Sequence, residues 1–417
     1  MVNFYLYLID ALTPLFFGLV SYIFYSTETN REEYVLLYVI FSISILSISL
    51  LKNYYKDYYI INFSEKIRIS IVTWIFAIFI QLIAHNYLLV KIDIYILTSW
   101  ILIPIIILIL RYLVKTNSKY ITNFPIDIIG EYYKFNDHEI NMLINKGFII
   151  SFYSDKSEYF DKSKKDEESV IVLNLSTSDL KSFEIHELKG ARSMILKLDQ
   201  FFERYLRKIY ISPENLLLNI KDYDRSSYIL KRLIDYISII IILPILIITV
   251  AYMFIMKKIH DVNESLFYKQ KRYGLNNYIF NIYKLRTMYK DSDSSGNTNK
   301  DDPRIYLFAK KVRSLRLDEM PQIINILIGH MHLVGPRAEW VKLSYQYDKK
   351  ISNYASRHVV RPGITGWAQI AYPYGLDVHD AEQKLMYDLY YIKNWTIWLE
   401  LEICFKTFLV ILDKKGF

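Results

Sequence analysis

Four long apolar runs open the chain: Phe4–Tyr25, Tyr34–Leu51, Ile69–Val90 and Ile92–Leu113. Each is close to the ~20 residues an α-helix needs to cross a bilayer, so the pattern predicts four membrane helices. Asp10 interrupts the first run and Asp93 borders the fourth; Asp10 is expected near enough to one end to reach the headgroups. Lysine and arginine sort the loops. Lys52, Lys56, Lys66 and Arg68 lie between the second and third runs, and Arg111, Lys115 and Lys119 follow the fourth, whereas the other two loops hold only Arg31 and Lys91. Positive charge accumulates on the cytoplasmic side, so both ends of this unit are expected in the cytoplasm.

From about residue 124 to 222 the apolar runs shorten and alternate with polar ones. Ile126–Gly130, Phe148–Phe152, Ser169–Leu175 and Ser193–Leu198 read as strands, Asp137–Asn145 and Asp199–Lys208 as helices, with a charged loop at Asp155–Glu168. The alternation predicts a parallel α/β unit. Gly130 is followed by Glu-Tyr-Tyr rather than a second glycine, so the dinucleotide fingerprint is missing and a docking or regulatory role is expected. A fifth apolar run, Ile237–Met256, is again long enough to cross, but Lys231-Arg232 precede it, Lys257-Lys258 follow it and Pro244 interrupts it. Cations at both ends favour one leaflet for both, and the proline supplies a break for a helix that enters and returns. The alternative, a plain fifth span, would put residues 257–417 on the far side.

Composition agrees with a membrane chain. Hydrophobic residues make up 53%, above the 45–50% of soluble domains, and the excess sits in the runs above. One cysteine, Cys404, excludes an internal disulfide and a cysteine-based zinc site. The net charge of +8 points, in a membrane chain, to anionic lipid or phosphorylated substrates rather than nucleic acid. The first run starts almost at Met1 without a basic leader, so no cleavable signal peptide is expected.

The candidate chemistry centres on Asp318-Glu319. Ile305, Phe308, Val312 and Leu315 share one face of a predicted helix, with Lys310, Lys311, Arg313 and Arg316 opposite. Pro321 suits the first turn of a new helix through Ile323–Leu327, which places Asp318 near a helix N-terminus. There, unpaired N–H groups keep a carboxylate ionised and attract phosphate oxygens. An ionised carboxylate beside arginines can attack phosphorus, and a neighbouring glutamate can help hold a divalent cation. Out of context such a pair is an ordinary solvated cap.

Context comes from a series of segments: Lys231-Arg232-Leu233-Ile234-Asp235, Tyr268–Gly274 with Gln270 and Arg272, Phe280–Met288 with Lys284 and Arg286, Asp302-Pro303-Arg304-Ile305, Arg313–Gln322, Leu333–Arg337, Val360–Gln369 and Tyr387–Tyr391. In this order, from about Lys231 to Leu412, they resemble the bacterial sugar transferases, the monotopic polyprenyl-phosphate phosphoglycosyl transferases; the preceding spans and α/β unit resemble the family's long form. The resemblance implies an enzyme that takes sugar 1-phosphate from a nucleotide sugar, usually a UDP-sugar, onto an aspartate, releases UMP, and hands the phosphosugar to undecaprenyl phosphate. This is the first membrane step of exopolysaccharide, capsule or O-antigen-type assembly. It maps the nucleophile to Asp318, the Mg²⁺-associated acid to Glu319, and a second acid, for metal or acid–base work, to Asp388. It also implies the bacterial inner membrane as location, multi-pass, with catalysis on the cytoplasmic face.

Phosphoryl transfer depends on positioning and charge neutralisation, which Lys284, Arg286, Arg304, Arg313, Arg337 and Arg361 are expected to supply, with Gln270 and Arg272 ranked behind them. Leu243-Pro244 stands where the family usually has Ser-Pro, about one turn early, and Ala338 follows Arg337 where a second proline is common. The polar loop Ser292–Asn299 reads as a lid or as plain disorder. Trp398, Leu401, Phe405, Phe408 and Leu412 recur at helical spacing, with Glu402 and Lys406 as an i,i+4 pair, and predict an interfacial helix. The expected fold class is therefore membrane α/β: a four-helix membrane region (1–115), a degenerate Rossmann-like domain (116–222) and a monotopic catalytic domain (223–417) with a re-entrant hairpin at about 233–258 and interfacial amphipathic helices. A catalytically silent scaffold, or a metal-dependent glycosyltransferase moving the sugar alone, are the alternatives. A homodimer is left open.

Overall fold

The computed structural model describes residues 2–24, 31–51, 63–88, 94–117, 124–162, 169–176, 179, 194–211, 222–289, 302–372, 375 and 377–412. The expected lid, Ser292–Asn299, lies outside them. The chain divides into two compact units, Met1–Leu198 and Asp199–Phe417.

In the first unit, α1 (Val2–Phe24), α2 (Arg31–Leu51), α3 (Phe63–Leu88) and α4 (Ile94–Asn117) pack around Tyr38, Phe41, Ile45, Ala77, Ile103 and Ile107. Leu6–Ile23 and Ser64–Tyr87 are long and apolar enough to cross a membrane, and Tyr95–Arg111 is a shorter apolar helix. Lys66 and Arg68, expected in a loop, belong to the first turns of α3. Asp10 does not reach outward. It is fully buried and paired with Arg111, Nε to Oδ1 at 3.0 Å with a second bond from Nη2 to Oδ2, while Arg111 Nη1 donates to Ser70 Oγ at 3.1 Å. Taken out of water, a carboxylate finds a cation on a neighbouring helix because the alternative is an unpaired charge.

The same unit contains a four-stranded parallel sheet, β1 (Phe124–Ile129), β2 (Phe148–Tyr153), β3 (Val170–Leu173) and β4 (Met194–Lys197), in the order β2-β1-β3-β4. Helices α5 (Asp137–Asn145) and α6 (Lys156–Lys162) fall between its strands; Asn136 and Glu139 form the capping box that opens α5. The alternation of short apolar runs thus gives the parallel sheet it predicts. Ligands in such sheets bind beyond the strand C-termini, where the strand order reverses. Here Asn174 bridges that point: its amide donates to the Gly130 and Tyr133 carbonyls, and its side-chain oxygen accepts from Tyr133 N–H. Gly130 is required by its positive φ of 98° and because a Cβ would meet the Asn174 carbonyl at 2.4 Å.

The second unit opens at Asp199, inside the short helix Leu198–Phe201 that leads into the π-helical Phe202–Leu206, so the helix predicted at Asp199–Lys208 packs with the catalytic part rather than with the sheet. The reason is Arg207, whose guanidinium pairs with the buried Glu402 at 2.8 Å and lies 4.2 Å over the Trp367 ring. Then come α7 (Arg225–Ile259), the antiparallel pair β5 (Phe267–Tyr273) and β6 (Ile279–Leu285), α8 (Lys310–Ser314), a 3₁₀ segment Leu317–Gln322 and α9 (Ile323–Leu327). β7 (His332–Val334), α10 (Val341–Asp348), β8 (Gly363–Thr365), α11 (Trp367–Ala371), α12 (Val378–Lys393) and α13 (Ile397–Leu412) complete it. β7 and β8 pair in parallel, and Gly363 permits it, since a Cβ there would stand 2.1 Å from Gly335 N.

Helix α7 carries the apolar run, and its backbone stays helical through Pro244. Along one stripe Lys231, Asp235, Ile239, Leu246, Met253 and Lys257 are buried; on the other faces Ile240 and Ile248 are 72% and 70% exposed. Both ends are tied to the same unit. Lys231 Nζ donates to the Val334 carbonyl (3.0 Å), Tyr391 Oη (2.6 Å) and Glu400 Oε1 (2.8 Å), and Asp235 accepts from Leu333 N–H and contacts His332 Nδ1. At the other end Lys257 Nζ donates to the carbonyls of Glu264 and Ser265. Between them Ile239, Ile242 and Leu246 pack on Phe280, Ile282, Ile323 and Ile326. Helix α13 leaves Leu401, Phe405 and Phe408 exposed, the stripe its spacing predicts, while Glu402 and Lys406 pair at 2.8 Å.

Lys231→Met strands the buried Glu400 carboxylate, so it is expected to destabilise the unit by about 3–5 kcal/mol. Lys231→Met with Glu400→Gln should recover part of that loss, read as the thermal unfolding midpoint in detergent; equal midpoints for the single and double variants would contradict the pairing.

Candidate active site

The one-sided run ahead of the acidic pair is not one helix. It splits into a 3₁₀ turn at Leu307–Ala309 and α8, then reverses at Arg316, which takes a left-handed φ of 54°. That reversal starts the 3₁₀ segment in which Asp318 and Glu319 occupy the first turn and Pro321 lies inside, before α9 begins at Ile323. Asp318 therefore sits at a helical N-terminus as expected, one made of 3₁₀ rather than α turns. Met320, Ile323 and Ile326 seat this segment on α7.

Glu319 is buried, with its Oε1 2.6 Å from Lys284 Nζ and 3.9 Å from Arg337, and its Oε2 4.0 Å from Arg316. Burial opposes its ionisation, but Lys284, Arg337 and Arg316 outweigh burial and hold it far below the usual carboxylate range. Asp318 responds the other way. Burial and then the Glu319 charge push it up to about 6, against the pull of Lys284 and Arg313. Two adjacent carboxylates are thus separated in acidity by their surroundings, one locked as an anion and one poised near neutrality.

The cations predicted for the site fall into three groups. Lys284 and Arg337 contact Glu319, and Arg313 on α8 acts electrostatically on Asp318. Arg272 lies beside them: it donates to Gln270 Oε1 (2.5 Å) and the Ala338 carbonyl (2.9 Å), stands 4.0 Å from Glu339, and is lowered to about 10 by burial and by Arg337. Arg304 is engaged with Asp302 through Nε and Nη2 at 2.8 and 2.5 Å, which holds that carboxyl at about 2. Arg286 and Arg361 make contacts near the two ends of α7. Arg286 lies over Tyr268 and 3.9 Å from Glu264, beside the end of α7, and Arg361 lies over Tyr228 at the start of α7.

Asp388 belongs to a separate buried cluster. Its Oδ2 is 2.6 Å from Arg357 Nη2, and burial first, with Glu339 adding, raises it to about 6 against Arg357. Arg357 also donates to the Arg337 carbonyl at 3.2 Å, so the cluster reaches the Glu319 site through the Arg337 backbone. Arg316, Arg357 and Glu339 escaped the sequence reading as site residues. Arg316 was available as the third residue ahead of Glu319; Arg357 and Glu339 carry no local signal.

Residues 226–414 match the model of the bacterial sugar transferase family. The chain is 34% identical over 236 residues to the UDP-N-acetylgalactosamine-undecaprenyl-phosphate N-acetylgalactosaminephosphotransferase of Aeromonas hydrophila, covering 56% of this chain and 53% of that protein. It is 36% identical over 188 residues to the uncharacterized sugar transferase EpsL of Bacillus subtilis, covering 45% of this chain and 90% of the relative. A UDP-glucose:undecaprenyl-phosphate glucose-1-phosphate transferase of Xanthomonas campestris pv. campestris is 38% identical over 156 residues, 36% of this chain and 32% of that protein. The match thus spans about half the length of the Aeromonas relative and nearly all of the Bacillus one. With the acidic pair, its cations and the apolar helix beneath them all inside the matched segment, the chain belongs to the bacterial sugar transferase family.

Proposed function

We propose that the chain transfers a hexose 1-phosphate from a UDP-sugar to undecaprenyl phosphate at the cytoplasmic face of the bacterial inner membrane, releasing UMP, with Asp318 as the covalent acceptor. The observation that carries this reading is the opposed acidity of Asp318 and Glu319 among Lys284, Arg313, Arg316 and Arg337. An Asp318 oxygen attacks the sugar-bearing β-phosphorus, the bond from that phosphorus to the bridging oxygen breaks, and UMP leaves with the oxygen. A lipid phosphate oxygen then attacks the same phosphorus and returns the carboxylate. Glu319 stays ionised throughout and keeps Lys284 and Arg337 aligned, while guanidinium groups neutralise charge that spreads over the phosphoryl oxygens. In this scheme Gln270, Arg272 and Arg304 support the phosphate-facing side, Arg286 and Arg361 hold α7, and Asp388 positions Arg337 through Arg357.

Glu319 and Asp318, adjacent carboxylates at the start of one 3₁₀ segment, are the residues that would hold Mg²⁺. Bound there, it would neutralise diphosphate charge. The relatives named above carry N-acetylgalactosamine in one case and glucose in another, so the proposal is for the UDP-hexose class. Initiation of an exopolysaccharide, capsule or O-antigen-type glycan is the corresponding role.

The membrane topology belongs to the same proposal. Helices α1 to α4 cross the bilayer antiparallel, consistent with Asp10, Ser70 and Arg111 meeting at one end of the bundle and Phe17 and Tyr95 at the other. The break expected at Pro244 is not present, since α7 runs helical from Arg225 to Ile259, and the proposal for it is that both its ends stay on one leaflet. Support comes from Lys231 and Lys257, which bond to one unit from opposite ends of the helix, and from the exposed position of Pro244, whose missing N–H frees the Ile240 carbonyl on the lipid side.

Given donor labelled at the β-phosphate and no lipid, the wild-type protein should retain label and release UMP rather than UDP. Asp318→Asn should retain none while staying folded. Asp318 is raised in the fold, so it adds stability below its ordinary pKa that fades as pH climbs through about 6. Removing its charge should therefore raise the melting midpoint at pH 7.5 by a few degrees. Retained label in the variant would remove Asp318 as acceptor.

Single-turnover UMP release with donor alone should lose about tenfold per pH unit below about 6 and level off above it. Arg313→Gln, which removes a charge that lowers Asp318, should move that limb upward; an unmoved limb would assign it to another group.

With Cys404 replaced by Ser, a cysteine substituted for the exposed Lys271 should resist impermeant thiol reagents in intact cells and react after lysis. Ready labelling of intact cells would mean that α7 crosses.

A further inference from the structure

Glu339 lies between the acidic pair and the Asp388 cluster, and the transfer scheme gives it no part. Its segment, Arg337–Trp340, is held by β-bridges at both ends, Arg337 to Gly363 and Trp340 to Arg272, so it runs extended. Ala338 turns into the apolar core with Ile239 and Leu246 of α7, which directs Arg337 and Glu339 to the opposite side. There Arg337 stands 3.9 Å from Glu319. Strand rise sets Glu339 about 6–7 Å further along the same face, and Tyr273 N–H anchors it by donating to its carbonyl at 3.3 Å.

The Glu339 side chain keeps only 16% of its surface exposed, and its nearest recorded partner is Arg272 Nη1, 4.0 Å from Oε2. That separation is too long for a hydrogen bond and leaves room for one oxygen that touches both groups. Arg272 Nη1 gives one N–H to the Ala338 carbonyl at 2.9 Å and has a second to offer. A carboxylate only accepts and a guanidinium only donates, so the bridging group must donate to one and accept from the other. A hydroxyl does both. An ionised phosphate carries acceptors alone and is repelled by Glu339, and a polyprenyl phosphate has no hydroxyl.

Water meets the same requirement, but position favours the donor sugar. In the reaction proposed above the hexose hangs from the β-phosphorus that Asp318 attacks, so its ring hydroxyls lie just beyond the phosphoryl oxygens. Glu339 stands just beyond Arg337, and Arg272 bears electrostatically on both Glu339 and Glu319. We propose that Glu339 is a specificity-determining residue of the donor site, accepting a hydrogen bond from one ring hydroxyl of the hexose while Arg272 donates to the same oxygen. The inference rests on the transfer reading and deepens it. A hexose whose hydroxyl is missing or points away at that carbon leaves a largely buried carboxylate unpaired, and is rejected for that reason.

The test gives the full chain, in detergent, the UDP-hexose it turns over fastest, the monodeoxy analogues of that hexose, and the parent hexose on 2′-deoxyuridine diphosphate. Single-turnover release of the nucleoside monophosphate, with no lipid, gives the specificity constant for each. In the wild type one hexose analogue should fall by about 100-fold, the scale of a lost hydrogen bond to a charged group, and the 2′-deoxy donor by no more than about threefold. Glu339→Ala should lose about the same 100-fold on the parent donor and no longer distinguish it from that analogue. Glu339→Gln, which keeps an acceptor oxygen, should fall between, and it decides the matter if the alanine variant does not fold. A purely structural role would lower every donor alike. Equal penalties across the analogues in the wild type and both variants would overturn the proposal and leave water in the gap. Coupling to the 2′-deoxy donor instead would move the contact to the ribose and overturn it too. Failure of the wild type to release UMP from any UDP-hexose would remove the transfer reading itself, and this inference with it.

Discussion

The second unit is organised by one constraint: an apolar helix of 35 residues must keep most of its surface out of water while holding a polar catalytic body by a single stripe. Lys231 and Asp235 at one end and Lys257 at the other fix that stripe with buried hydrogen bonds, and Ile239, Ile242 and Leu246 fill the interval. The remaining faces are apolar and exposed, as on a helix that meets lipid. What packs on the stripe is the 3₁₀ segment and short helix that carry Asp318 and Glu319. The turn that carries the acidic pair is therefore seated on the long apolar helix itself.

Seating a carboxylate pair there has an electrostatic consequence. Both groups lose water, and two adjacent anions repel. Lys284 reaches Glu319 directly, Arg337 and Arg316 surround it, and the cations stabilise that charge at the expense of its neighbour. Asp318 is left as the group whose ionisation is less supported, and so as the more basic of the two. The Lys284–Glu319 pair thus sets the acidity of Asp318, an effect separate from whatever a buried ion pair adds to stability.

Much of this was legible in the sequence where the signal is local. The acidic pair near a helical start, the alternating strands of the parallel sheet, the exposed stripe of α13 and the Glu402–Lys406 pair all follow from spacing within a few residues. The misses share one cause. Asp10 was expected at the headgroups because its partner, Arg111, lies on another helix, and no periodicity links the two. Asp388 pairs with Arg357, and Arg286 and Arg361 contact Glu264 and Tyr228 beside the ends of α7, distant partners that likewise leave no periodic mark. Lys66 and Arg68 were read as loop because charge outweighed the helical continuity of Phe63–Ile69. The split at Arg316 was invisible because a left-handed residue leaves no mark on hydrophobic period.

The parallel sheet of the first unit makes the complementary point about fold and function. Its strand order creates the crevice at which related sheets bind nucleotides, and a reading from architecture alone would put a ligand there. Asn174 occupies the spot, spending its side-chain amide on the Gly130 and Tyr133 carbonyls and its oxygen on the Tyr133 N–H. Those loops are thereby satisfied by the protein's own side chain, and the backbone N–H groups that would cradle a phosphate are partly consumed: Tyr132 N–H goes to the Asn174 carbonyl and Gly130 N–H to Tyr153. The missing second glycine and the bridging asparagine are two expressions of one change. A loop that does not approach a pyrophosphate can carry bulky tyrosines and close on itself.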